Sequence, residues 1–320
     1  MNRGIHHLRG ICAIIVYLGH VLGMMPNIIF EKTQPTIWHI LYDGQCAVYV
    51  FFAITGFFLY SENAISVKSY LFGLAKKSKK ILPPHIVVLV FALICCNLHI
   101  EYNHELFTDW SNHFWVNDVG YVEFFKQALI LPPHDPDLLN PPTWYLISLA
   151  KALFILPWLI MFLNRTTWYL LFIVLIFPLF YEFAIISSLL PFLIASCMRK
   201  NLMFISRVLD KTKVQYLLFC LSVFLLNLRN EFKGIGNFYY TLSQSFGASC
   251  IVTICYYRNS YIKNRILDWL GDISYPFYLV HFVLLLALKP FVDDIVMLFI
   301  MSLLLSLTMA HILHYYIFKQ

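Results

Sequence analysis

The chain has 320 residues, of which 60% are hydrophobic and 12% charged, with a formal net charge of +6. Soluble domains average roughly half apolar and a quarter charged, so this chain cannot supply the polar surface a soluble domain needs. The eight cysteines lie in or beside apolar stretches and none has CxxC spacing, which argues against a disulfide framework or a thiolate metal site.

Crossing a bilayer takes roughly 20 mostly apolar residues. The sequence predicts an all-α, polytopic transmembrane helical bundle of about ten spans: 5–25, 38–60, 81–99, 144–163, 166–183, 185–198, 214–229, 238–257, 273–290 and 294–318. The stretches are continuously apolar rather than alternating, and backbone amides in lipid need internal partners, so helices are expected and a barrel is not. The first stretch has no A-x-A-like cleavage site and is read as a span, not a signal peptide. The sixth is short and is expected to break at Pro191. A single membrane domain over 1–320, with no fused soluble domain, is expected.

Lysine and arginine set the orientation. With the N-terminus in the cytoplasm, 17 of the 23 Lys and Arg residues fall on the cytoplasmic side and 6 on the outer side. An even number of spans returns the C-terminus to the cytoplasm. The lysine-rich stretch 68–80 then reads as a cytoplasmic loop and 100–143 as a long outer loop. That outer loop is acidic and carries Trp110 and Trp115. Its Tyr121–Leu131 stretch reads as an amphipathic interfacial helix. The loop is either a solvated connection or part of an acceptor entrance, since long loops are often functional.

Ionisable groups inside a span are costly and usually functional. The first span carries Arg9 and His20. Their 11-residue spacing returns both to one helix face, about 16 Å apart along the axis. That separation resembles the reach of an extended pantetheine arm. Arginine suits a phosphate through its planar fork, and histidine can take a hydroxyl proton near neutral pH. Taken alone, the pair also fits an arginine snorkelling to headgroups and a histidine in a helix–helix contact.

Four segments in order decide between these readings. Residues 8–20, LRGICAIIVYLGH, resemble the opening of the acyltransferase-3 family, with arginine, ten residues and histidine. Residues 51–59, FFAITGFFL, look like its second-helix motif of two Phe followed by Ser/Thr-Gly. Residues 76–83, KKSKKILP, are similar to its Arg-x-x-Arg segment ending in Leu-Pro, and residues 271–281, GDISYPFYLVH, to its late signature.

The resemblance implies a membrane O-acyltransferase. It would move an acyl group, often acetyl, from acetyl-CoA or another acyl-CoA to a hydroxyl of a surface or lipid-linked polysaccharide. By resemblance His20 is the catalytic histidine and Arg9 a donor-site residue. Lys77 and Lys80 stand in the places of two arginines, keeping the charge but not the bidentate fork. The resemblance also implies a bacterial cytoplasmic (inner) membrane location. The expected partners are the lipid bilayer and a glycan or lipid-linked saccharide acceptor, with no metal and no nucleic acid.

The chain departs from the family at several points. Residues 144–151 read WYLISLAK where a glutamate is common, Tyr49 stands near a usual aspartate, and the terminal Ile-Glu-x-Pro is absent. Three more groups have open roles. His281, two turns after Ser274, lines the cavity of His20 or braces it. Asp43 orients His20 or is a solvated helix-entrance residue. Lys151 pairs with Asp43 or Glu182, or snorkels outward. A glycan or lipid exporter explains the spans but does not require the Arg9–His20 spacing. A non-catalytic partner in a glycan-assembly complex would fit the missing motifs.

Overall fold

The computed structural model describes residues 2–59, 67–98, 100–131, 136–164, 184–228, 237–258 and 263–318. The candidate span 166–183, with Glu182, lies outside the described residues. Among those residues every regular element is helical: α1 (Arg3–Met24), α2 (Ile28–Thr33), α3 (Gly44–Leu59), α4 (Val67–Asn97), α5 (Asp109–Asn112), α6 (Tyr121–Ala128), α7 (Trp144–Asn164), α8 (Ala184–Lys200), α9 (Leu202–Leu209), α10 (Thr212–Asn227), α11 (Asn237–Arg258), α12 (Arg265–Leu288) and α13 (Ile295–Phe318), with short 3₁₀ turns between some of them.

Among the described residues four stretches are long and apolar enough to cross a membrane: Arg3–Met24, Phe72–Asn97, Arg265–Phe291 and Ile295–Ile317. A fifth arises if α8 and α9, bent by 78° at their junction, count as one. The outward face of α13 is apolar. On α13 the exposed residues include Met297, Ile300 and Leu304, spaced at helical intervals, where a water-facing helix would carry charge. The α12 helix is the centre of the bundle and is buried along most of its length.

The α1 and α12 helices pack side by side and run parallel. His7 meets Asp268 and His20 meets His281, each pair 261 positions apart. A constant offset over this distance requires parallel axes in fixed register. Glycines set the closeness: a β-carbon on Gly10 would lie 2.9 Å from the backbone of Leu270 and Gly271, and one on Gly271 would lie 2.6 Å from the His6 carbonyl. Gly56 plays the same part between α3 and α8, where a side chain would strike the Phe192 backbone. There Ser196 Oγ donates to the Gly56 carbonyl at 2.7 Å, closing the contact that FFAITGFFL makes possible.

The polar residues of α11 explain how a less apolar helix sits inside the bundle. Thr241, Gln244, Ser245, Ser249 and Thr253 are all buried. Ser245, Ser249 and Thr253 each donate to the carbonyl four residues earlier, at 2.6, 2.7 and 2.8 Å. Satisfied on their own helix, these hydroxyls cost little to bury.

Three local expectations are revised. The lysine-rich stretch 68–80 is not a loop but the first half of α4, which runs on through Pro83 and Pro84. Tyr275 Oη donates to the Ile81 carbonyl at 2.9 Å in this Pro-interrupted turn. The α8 helix runs through Pro191, and the bend falls at its end instead. Within the candidate span 38–60 the chain is broken: a 3₁₀ turn at Ile37–Leu41 precedes α3. Of the amphipathic stretch predicted at Tyr121–Leu131, Tyr121–Ala128 forms α6, with Tyr121, Val122 and Phe125 exposed.

Candidate active site

Parallel packing of α1 against α12 orders the site along a single axis. Near the N-terminal ends of both helices lies a cavity of about 530 Å³, within the usual range for ligand pockets, roughly 300–1,000 Å³. Arg9, Lys77 and Lys80 all line it, with Tyr145, Tyr278 and Asp272. The three cations predicted from sequence, 68 or more positions apart between α1 and α4, are thus brought to one cavity. Arg9 thus shares the cavity with Tyr145 and Asp272. The rest of the lining includes Phe51, Ile54 and Leu149. A lining that combines cations with apolar and aromatic side chains suits an anion carrying an extended organic arm.

His20 is not among the residues lining that cavity. It lies further along α1, about 16 Å from Arg9, with a layer of side chains between. Tyr278 lines the cavity, and its ring faces His281 at 5.8 Å between centroids. His281 in turn meets His20: Nε2 of His281 lies 2.8 Å from Nδ1 of His20, the rings nearly parallel at 8°. His281 is fully buried, and its Nδ1 lies 3.1 Å from the Phe277 carbonyl. A carbonyl only accepts, so His281 Nδ1 carries the proton in the neutral ring and Nε2 is the acceptor. His20 Nδ1 is then the donor. That leaves the lone pair of neutral His20 on Nε2, the atom a general base needs.

The groups with open roles separate clearly. His281 bonds to His20 directly. Asp43 is buried, not solvated, and its Oδ1 caps α3 by accepting from the Gln45 and Cys46 amides at 3.0 and 3.1 Å. It also faces His39 at 3.7 Å. Lys151 is exposed.

Sequence reasoning missed a second set on the α1–α12 seam. His6 Nε2 lies 2.9 Å from the Asp268 carbonyl and 3.2 Å from Asp272 Oδ1. His7 Nε2 lies 2.8 Å from Asp268 Oδ1. Asp268 and Asp272 are one turn apart on α12, and adjacent histidines opposite an i, i+4 aspartate pair are a readable signal. These pairs pin the N-terminal ends of the two helices and so fix the register that brings His20 to His281.

No curated protein and no solved structure shows significant similarity to this chain. Residues 2–315 match the family described as Acyltransferase domain, the acyltransferase-3 family. The match spans nearly the whole chain, including α1, the cationic stretch of α4 and the α12 signature that together build the cavity and the histidine pair, and the chain therefore belongs to the acyltransferase-3 family.

Proposed function

We propose that this protein is an acyl-CoA-dependent O-acyltransferase that acylates, most simply acetylates, a hydroxyl of a surface or lipid-linked glycan. The observation that carries the reading is the convergence of Arg9, Lys77 and Lys80 on one cavity, with His20 about 16 Å further along the helix that bears Arg9. The donor's phosphates rest against the three cations, with the apolar lining beside its pantetheine arm. Its thioester extends from the cavity along α1 toward His20.

The chemistry at His20 is a single acyl exchange. His20 Nε2 takes the proton of the acceptor hydroxyl as that oxygen attacks the thioester carbon. The C–O bond forms, the C–S bond breaks, and the proton on His20 passes to the leaving thiolate. Ester and free CoA result. While His20 holds the proton, His281 Nε2 accepts from the now cationic ring, so the His281–Phe277 chain stabilises the charge as it develops.

In this reading the protein lies in a bacterial cytoplasmic membrane with the cationic cavity facing the cytoplasm, where acyl-CoA is made. The support is the division of lysine and arginine between the two sides. Loop 100–143 faces outward, toward exported glycans. The test is consumption of radiolabelled acetyl-CoA by purified protein in nanodiscs supplied with lipid-linked glycans. Acyl ester on the glycan is the expected product. An exporter or a silent assembly partner would leave acetyl-CoA untouched.

A further inference from the structure

The outer-loop helix α5 is only four residues long, yet it is fastened at three points. Thr108 Oγ1 donates to the Gly23 carbonyl at 2.7 Å and the Thr108 amide to the Met24 carbonyl at 2.9 Å. Ser111 Oγ donates to the same Met24 carbonyl at 3.0 Å. From beyond the end of α12, the buried Lys289 donates to the Ser111 carbonyl at 2.8 Å and to Tyr102 Oη at 3.0 Å. These bonds tie α5 to the last turn of α1, the helix that carries His20.

The side chain so positioned is Trp110. Its ring stacks on His20 at 6.0 Å and 21°. Phe114 and Phe282 hold it edge-on at 5.3 and 5.8 Å. A β-carbon on Gly23 would lie 3.4 Å from the indole, so the ring lies along the end of α1. Phe282 is fully buried and Phe114 nearly so, but Trp110 is 40% exposed. Trp110 thus covers His20 on the side of this loop while part of its own ring stays open. The indole N–H of Trp115, in the same loop, is spent on the Leu139 carbonyl at 2.9 Å. Among the described residues the Trp110 N–H has no hydrogen-bond partner.

We infer that Trp110 is the acceptor platform of the site, taking the ring of a pyranose sugar and presenting one of its hydroxyls to His20. The assignment rests on the O-acyltransferase reading and gives its sugar acceptor a binding residue. A pyranose offers a row of axial C–H bonds, weakly positive, which match the negative face of the indole. Its hydroxyls offer acceptors to the N–H. One side chain therefore supplies both contacts a sugar needs, whereas a lipid tail uses only the first. A fixed ring, tied to the helix of the base, holds the hydroxyl and the base in one frame.

The test uses the full chain in nanodiscs with radiolabelled acetyl-CoA. The acceptors are octyl pyranosides of glucose, galactose, N-acetylglucosamine and rhamnose, with octyl tetraethylene glycol as a linear alcohol control. Acetyl transfer to at least one pyranoside is expected. Trp110→Ala should raise the KM for that pyranoside about tenfold, the loss of a ring contact and a hydrogen bond together. Trp110→Phe, which keeps a ring and loses the N–H, should raise it about threefold. Acetyl-CoA affinity should move less than twofold in both, and the KM for the linear alcohol should rise less than that for the pyranoside. A pyranoside KM that stays within twofold in Trp110→Ala, an equal change for the linear alcohol, or His20-dependent acetyl-CoA hydrolysis with no pyranoside accepted would each overturn the platform while leaving the acyltransferase reading intact. If acetyl-CoA neither binds nor is consumed, the acyltransferase reading fails and the platform with it.

Discussion

His20 and His281 share a hydrogen bond of 2.8 Å between Nδ1 and Nε2, made by two helices that lie 261 positions apart in the chain. The second nitrogen of His281 rests on the Phe277 carbonyl, so the proton positions along the chain are fixed. The consequence is that His20 presents Nε2, unprotonated, to whatever reaches it. His281 is thus a positioning residue, acting on the acceptor through His20.

Replacing His281 with leucine should lower kcat by about 10- to 100-fold, the loss of one hydrogen bond to a charged group. Acyl-CoA affinity should hold, since His281 does not line the donor cavity. His281→Gln, whose amide oxygen can still accept from His20 Nδ1, should recover part of the rate. Steady-state kinetics on folded protein, with acyl-CoA binding measured separately, checks this. Equal losses in both variants would make His281 a packing residue.

Arg9→Ala should weaken acyl-CoA binding about 10- to 100-fold, as expected for a charged hydrogen bond to phosphate. Lys77→Ala and Lys80→Ala should cost less, because both side chains are exposed and exposed charges are screened. Their effect should fade in high salt. Titration calorimetry across a salt series measures all three. Unchanged affinity for Arg9→Ala would remove the cavity as the donor site.

Gly271→Ala should push α12 away from α1, since the added carbon meets the His6 carbonyl. Overpacking of this kind costs about 1–3 kcal/mol. Both thermal stability in detergent and turnover should fall, because the same register holds His20 against His281. A variant as stable and as active as the parent would show that the seam tolerates separation.

The orientation predicts that positions 116 and 207 lie on opposite sides of the membrane, 116 outside. Val116→Cys and Arg207→Cys, made in a background without the exposed Cys220, should differ in reaction with an impermeant thiol reagent applied to intact cells. Labelling of both from the same side would reverse or abolish the proposed topology.

Much of this arrangement is legible in the sequence. The Arg9–His20 spacing is a property of one helix, and a spacing rule reads it directly. The cationic stretch is equally local, although it reads as a loop where α4 runs on. The capping role of Asp43 is also readable, since an aspartate just before an apolar run is a helix-start signal. The His20–His281 bond is of another kind. It depends on two helices running parallel in one register, set by Gly10, Gly271 and the His6–His7 seam. No window along the chain contains both partners. The placement of Trp110 on His20 likewise depends on hydrogen bonds from a loop to a helix end more than 80 positions away, as between Thr108 and Met24.

The central claim is that His20 is the base. The most direct measurement is the single-turnover rate of acyl transfer by His20→Gln protein that has been shown to fold and to bind acyl-CoA. Gln keeps a polar side chain without useful basicity. A general base contributes on the order of 10²–10⁴-fold, so the rate should fall by at least about a hundredfold while acyl-CoA affinity holds. The wild type should also lose activity toward acid pH as His20 gains a proton, and the variant should lack that dependence. Near-normal turnover by folded His20→Gln protein would contradict the account, leaving His20 as a packing residue and favouring an export function.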